Sequence, residues 1–188
     1  AFSELGLDVE QAEIPGLVEH DADQISAVVY LAEAGMHLKP IISGQESKLM
    51  DILRARYVDM TPAPLNEYLD AANEWEALRK DVAEYFARYD LFLCPTVTMP
   101  AFTHGQKELT IGGQTLRARH ILRLTLPWDL TGSPAISVPF AWSSEDLPIG
   151  VQLVGRHFDE RTLLLAAAAL EGARGEKAHD RRLVSSLN

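Results

Sequence analysis

The chain has 188 residues, 47% of them hydrophobic, and a net charge of −10 from 27 acidic and 17 basic side chains. That is enough for one domain with a real core, and its acidic surface repels phosphate backbones, so nucleic acid is not an expected partner. Cys94 is the single cysteine, which excludes an intrachain disulfide and fits a reducing compartment, so a cytoplasmic location is expected. No apolar run approaches ~20 residues, so no membrane partner is expected either.

In chain order, Ala1 to Leu5 reads as the tail of a helix stopped by Gly6. Leu7 to Ile14 reads as a short strand closed by Pro15. A chain that opens on Ala, with a helix already under way, is expected to be cut from something longer. A helix is expected from His20 to His37, with Ile25, Val28, Val29, Ala32 and Met36 on one stripe and Asp21 with Gln24 as a cap pair. Ser47 to Met60 is expected as a second helix with Leu49, Ile52, Leu53 and Tyr57 inward, broken by Thr61 to Pro64. Pro64 suits the first turn of a third helix running to about Tyr89. Its apolar line is Leu65, Tyr68, Leu69, Ala72, Trp75, Leu78, Val82 and Phe86.

Leu91 to Thr96 is a short apolar run, read as a buried strand. Val97 to Gln114 is a long loop by its Pro100, Gly105, Gly112 and Gly113, with a small hairpin at LTIGGQTL. Arg117 to Leu126 forms a short helix before Pro127. Two strands follow, with Ile136, Val138 and Phe140 on one face of the first and Ile149, Val151 and Leu153 on one face of the second. Asp159 caps a last, alanine-rich helix expected to lie flat on the sheet, and the tail after Gly172 is polar. Helices and strands alternate irregularly, so the fold class is α/β with a mixed sheet.

Local chemistry is sparse. There is no G-x-S-x-G elbow, no phosphate loop and no H-E-x-x-H. The six histidines show no metal spacing with one another, so no metal and no cofactor are expected. Cys94 lies within an apolar strand, where the thiolate is disfavoured and the residue acts as a small hydrophobe. The serines at Ser43 and at Ser143 and Ser144 sit in loops without a partnered base nearby in sequence and read as turn formers. Gly132-Ser133-Pro134 ahead of a strand gives a tight, preset approach that suits a cleft wall or a plain turn.

Three stretches, DLFLCPTVTMPA, DLTGSPAISVPF and PIGVQLVGRHFDERTLLLAAAALE, resemble in their order the C-terminal part of amidase signature enzymes. Matches to that pattern fall at Asp90, Pro95, Thr96, Leu130, Thr131, Gly132, Pro134, Ala135, Pro148, Gly150, Gln152, Leu153 and Glu160. Asp129 stands where the family usually has Asn. The resemblance implies a partial amidase-signature fold, a mixed sheet flanked by helices, with residues 1–188 forming the C-terminal portion and the N-terminal catalytic half absent.

It also implies an enzyme that hydrolyses a small carboxamide, or passes the released ammonia on as an amidotransferase A-like subunit does. The family uses a serine nucleophile, a second serine in a cis peptide and a lysine, on an upstream Gly/Ser-rich segment that this sequence lacks. No catalytic residue is therefore carried over, and the chain alone is expected to be inactive. Trp128, Asp129, Thr131 and Gly132 are the substrate-pocket candidates by position, and Arg54 or Arg56 is a candidate to hold a substrate carboxylate. Expected partners are the amide substrate of the whole enzyme, the missing N-terminal half and further copies of the chain. The alternative is a stand-alone, non-catalytic binding or scaffold module.

Overall fold

The computed structural model describes residues 1–58, 61 and 63–174. By contact the chain divides into a helical unit, Ile14–Tyr85 with Asp129–Thr131, and a sheet unit, Ala1–Glu13, Phe86–Trp128 and Gly132 onward.

The helical unit begins with one short turn, α1 (Gly16–Glu19), followed by α2 (Ala22–Ile42), α3 (Asp51–Tyr57) and α4 (Leu65–Phe86). Asp21 is the N-cap of α2: one carboxylate oxygen accepts from the Asp23 and Gln24 backbone N–H groups at 3.0 and 3.3 Å. This satisfies donors that the first helical turn leaves without partners. Ile25, Val28 and Val29 of α2 pack with Ala71 of α4, and Tyr68, Trp75 and Leu130 lie against them. Fully buried residues such as Ile25 and Leu78 each stabilise by roughly 1.5–3 kcal/mol. The Tyr68 hydroxyl donates to Glu33 across α2 and α4 at 2.8 Å, and the Trp75 indole N–H donates to the Leu130 carbonyl.

Several expectations need correction here. Met36, placed on the inward stripe, is 77% exposed. Leu65 and Leu69 also face out, and the buried line of α4 is Ala71, Leu78, Val82, Tyr85 and Phe86. Tyr68 of the same turns does pack on the Ile25–Ala71 core, so Leu65 and Leu69 are exposed because they lie off the face of α4 that carries Ala71, Leu78 and Val82. The second helix is shorter than expected, a 3-10 turn at Glu46–Lys48 followed by α3. Its expected end at Met60, with Pro62 of the break, lies outside the described residues, as does the polar tail 175–188. By length and composition α2 is apolar enough to cross a membrane, which the sequence reading did not foresee. Its Ile25, Val28 and Val29 are instead core residues of the helical unit.

The sheet unit holds β1 (Leu91–Pro95), β4 (Ala135–Trp142) and β5 (Pro148–Gly155) in the order β1-β5-β4, with both pairings antiparallel. Leu91 pairs with Gly155, and Ala135 with Val154. The hairpin β2 (Glu108–Ile111) and β3 (Gln114–Arg117) turns through Gly112 and Gly113, both at positive φ, as a two-residue hairpin requires. α6 (Glu160–Arg174) starts at Asp159, whose carboxylate accepts from the Thr162 N–H at 3.3 Å. As expected, α6 lies on the sheet: Leu163, Ala166, Ala167 and Leu170 pack with Val138 and Leu153, flanked by Ile136, Phe140 and Val151.

Three elements of this unit differ from the sequence reading. Residues 7–14 form no strand, because no segment among the described residues pairs with them. β1 is not buried but an edge strand, with Leu93 45% exposed. The helix expected to stop before Pro127 is a 3-10 segment, Ala118–Leu124, and α5 (Leu126–Thr131) then begins with that proline in its first turn. Proline at this position gives up an N–H that has no helical acceptor anyway. Thus Leu130 and Thr131 are helical, and the strand begins at Ala135.

Candidate functional site

The family-like motifs converge on the face where β1 and β4 flank β5. Gln152 is 4% exposed, and its amide nitrogen donates to the Leu124 carbonyl at 2.8 Å and approaches the Cys94 sulfur at 3.3 Å. One buried amide therefore ties the segment that leads into α5 to the middle of β5 and to β1. Trp128, 3% exposed, returns to the same carbonyl, its indole N–H donating at 2.8 Å, and its ring lies 5.4 Å from that of Phe92. A half-buried carbonyl satisfied twice fixes the approach to α5 more firmly than either bond alone.

Nearer the strand ends, the Thr96 and Ser137 hydroxyls are hydrogen-bonded to each other at 2.8 Å. They lie over Gly150, where a Cβ would meet Ser137 Oγ at 2.8 Å and Thr96 Oγ1 at 3.1 Å. Glycine is therefore required there by close approach. Neither hydroxyl has a lysine, histidine or carboxylate partner among the described residues, so the pair lacks the base that nucleophilic attack needs. The Cys94 thiol is pushed up by burial, partly offset by the Gln152 amide, so it stays protonated near neutrality, as its strand position implies.

Trp128, Asp129, Thr131 and Gly132 stand on α5 and its cap. Gly132 takes a left-handed φ of 70° and ends the helix, its N–H donating to the Trp128 carbonyl. Trp128 and Gly132 belong with the sheet unit, and Asp129 and Thr131 with the helical unit. Trp128 and Thr131 are buried, whereas Asp129 and Gly132 are exposed. Arg54 lies on α3, with its Nε buried and without a hydrogen-bond partner among the described residues. Its charge also reaches Glu46, whose carboxyl is held low chiefly by its own and the Gly44 backbone N–H and only slightly by Arg54. The side chain of Arg56 lies outside the described residues.

Sequence reasoning missed the positioning role of Gln152, Thr96 and Ser137. The signal was present in the P-x-G-x-Q-L pattern, where a glycine and a polar side chain alternate on the face of the strand opposite Ile149, Val151 and Leu153. What it could not reveal was the partner, because Leu124 is 28 residues away.

The amidase family model matches residues 1–164. A glutamyl-tRNA(Gln) amidotransferase subunit of Bacillus thuringiensis (strain Al Hakam) is 41% identical over 96 residues, 51% of this chain and 19% of that protein. A solved amidase structure superposes with a TM-score of 0.81 at 23% identity, covering 93% of this chain and 39% of its own. A 6-aminohexanoate cyclic dimer hydrolase gives a TM-score of 0.71 at 25% identity over the same shares. The chain thus spans about two-fifths of each of these solved structures and a fifth of that curated relative. With the family's pattern matched from its first residue through the start of α6, and the fold matching over nearly its whole length, the chain belongs to the amidase family.

Proposed function

We propose that this chain is the C-terminal portion of a cytoplasmic enzyme that hydrolyses a carboxamide to a carboxylate and ammonia or an amine. The serine, the cis-peptide serine and the lysine that perform the reaction lie on polypeptide outside these residues. The sheet unit supplies a wall: Gln152 of β5 meets Cys94 of β1 and holds the Leu124 carbonyl just ahead of α5. The observation that carries this view is the Thr96–Ser137 pair. Its two hydroxyls are hydrogen-bonded to each other, and neither has a base as partner among the described residues.

The test is ammonia release from simple aliphatic and aryl amides. The 188-residue chain alone should give none, and a longer polypeptide that adds an upstream Gly/Ser-rich segment should give turnover. Turnover by the chain alone would overturn the proposal.

A second view, favoured by the buried and unpartnered Arg54 Nε, is that the amide carries a carboxylate of its own. An unpaired guanidinium donor suits a planar carboxylate. Relatives that are amidotransferase subunits fit this view, in which the ammonia is passed on rather than released. In the active enzyme, Arg54→Ala should then raise KM for carboxylate-bearing amides and leave KM for neutral amides unchanged. Equal KM changes for both would contradict it.

A further inference from the structure

We propose that Glu19, His20 and Asp81 form a binding site for a divalent transition-metal ion of the zinc class. The ligand atoms of the three side chains all lie within 4.8 Å of one another. No hydrogen bond or ion pair joins any of them to each other or to another side chain among the described residues. A tetrahedral ion bound at ~2.0–2.2 Å from nitrogen and oxygen donors holds those donors roughly 3.4 Å from one another. The three groups are close enough to share an ion after small side-chain rotations.

Glu19 is the last residue of α1, and His20 caps it with an extended backbone at φ −108° and ψ 132°. The His20 N–H is tied to the Gly16 carbonyl at 3.2 Å, and the next residue, Asp21, caps α2. Both donors therefore leave a corner whose backbone is bonded on each side. Asp81 comes from the middle of α4, within the same helical unit. Gly16 packs directly on its carboxylate, since a Cβ there would stand 2.8 Å from Oδ2. Asp81 and His20 are half-buried and Glu19 is exposed, so two donors are held and the third can close on an ion.

The donor set selects the metal. One imidazole nitrogen with two carboxylates suits zinc, cobalt or nickel, whereas magnesium and calcium prefer oxygen alone. Three protein donors leave a position for water. The ion would link the α1–α2 corner to α4, so its effect is on the stability of the helical unit and does not depend on the amidase chemistry proposed above.

Calorimetry with ZnCl2 on the metal-free 188-residue chain tests this. One ion per chain is expected, with affinity reduced at least about tenfold in His20→Ala and in Asp81→Asn, and unchanged in the loop control His104→Ala. Zinc should raise Tm by a few degrees in the parent and not in His20→Ala, and millimolar Mg²⁺ or Ca²⁺ should not displace it. Absence of saturable binding, or full binding retained in His20→Ala, would overturn the site. Should His20→Ala fail to fold by circular dichroism, Co²⁺ absorption decides: a visible band weakened in Glu19→Gln supports the site, and no such dependence overturns it.

Discussion

At the scale of single residues, the chain's polar groups work as fasteners. Gly150 shows this best, because the Thr96–Ser137 hydroxyl pair occupies the space a side chain would take. Gly150→Ala should cost about 1–3 kcal/mol, the usual penalty of overpacking, read as a lower denaturation midpoint. Ser137→Ala in the same chain removes the 2.8 Å contact and should recover part of the loss. Equal stability of Gly150→Ala and the parent would contradict the packing seen here.

Cys94 gives a second test at this scale. Burial raises its thiol pKa, so the folded chain holds the proton more tightly than the unfolded chain does. The stability linked to that proton is complete below the unfolded thiol's pKa and is lost as pH rises through the folded one. Alkylation by iodoacetamide at pH 7 should therefore be slower in the folded chain than in urea. Equal rates would contradict it.

At the scale of elements, legibility in the sequence followed whether an element's partner was local or could be inferred from period alone. The alternation Ile136–Val138–Phe140 and Ile149–Val151–Leu153 placed β4 and β5 correctly, and the alanine-rich helix lies on them as its small side chains imply. The Gly112–Gly113 hairpin was readable because its turn chemistry is self-contained. Residues 7–14 were misread because a strand needs a neighbour, and composition cannot say whether one exists. Leu65 and Leu69 were misplaced because an apolar line drawn too wide took in residues off the buried face, while Tyr68 beside them does pack on the core.

Around the candidate residues, a helix was expected to stop before Pro127 and α5 was not foreseen, since Pro127 reads equally as a stop and as a first-turn residue. The Glu19–His20–Asp81 cluster was invisible, because Asp81 is brought to the other two only by folding. The N-cap of α2 is the element whose energetics can be isolated most cleanly. Asp21→Ala removes the acceptor of two backbone N–H groups and should cost ~1 kcal/mol. Urea denaturation measures it, and a change below a few tenths would mean that the cap contributes nothing.

At the scale of the whole molecule, the sheet unit is unfinished by its own standards. β1 and β4 flank the three-stranded sheet, and neither has an outer neighbour among the described residues. Leu164 and Leu165 face outward from α6, and Phe158 is 93% exposed at a positive φ of 62°. Open strand edges and apolar surface of this kind favour association. Sedimentation of the isolated chain should therefore show species above the monomer mass, and a purely monomeric chain at tens of micromolar would count against this view.

The central claim is that the reactive hydroxyl is not among these 188 residues. Treating the complete active polypeptide with a serine-reactive fluorophosphonate and mapping the adduct by mass spectrometry tests it most directly. The label is predicted on a serine outside this chain, with activity lost in proportion. An adduct on Ser133, Ser137 or Ser143 that accounts for the lost activity would contradict it.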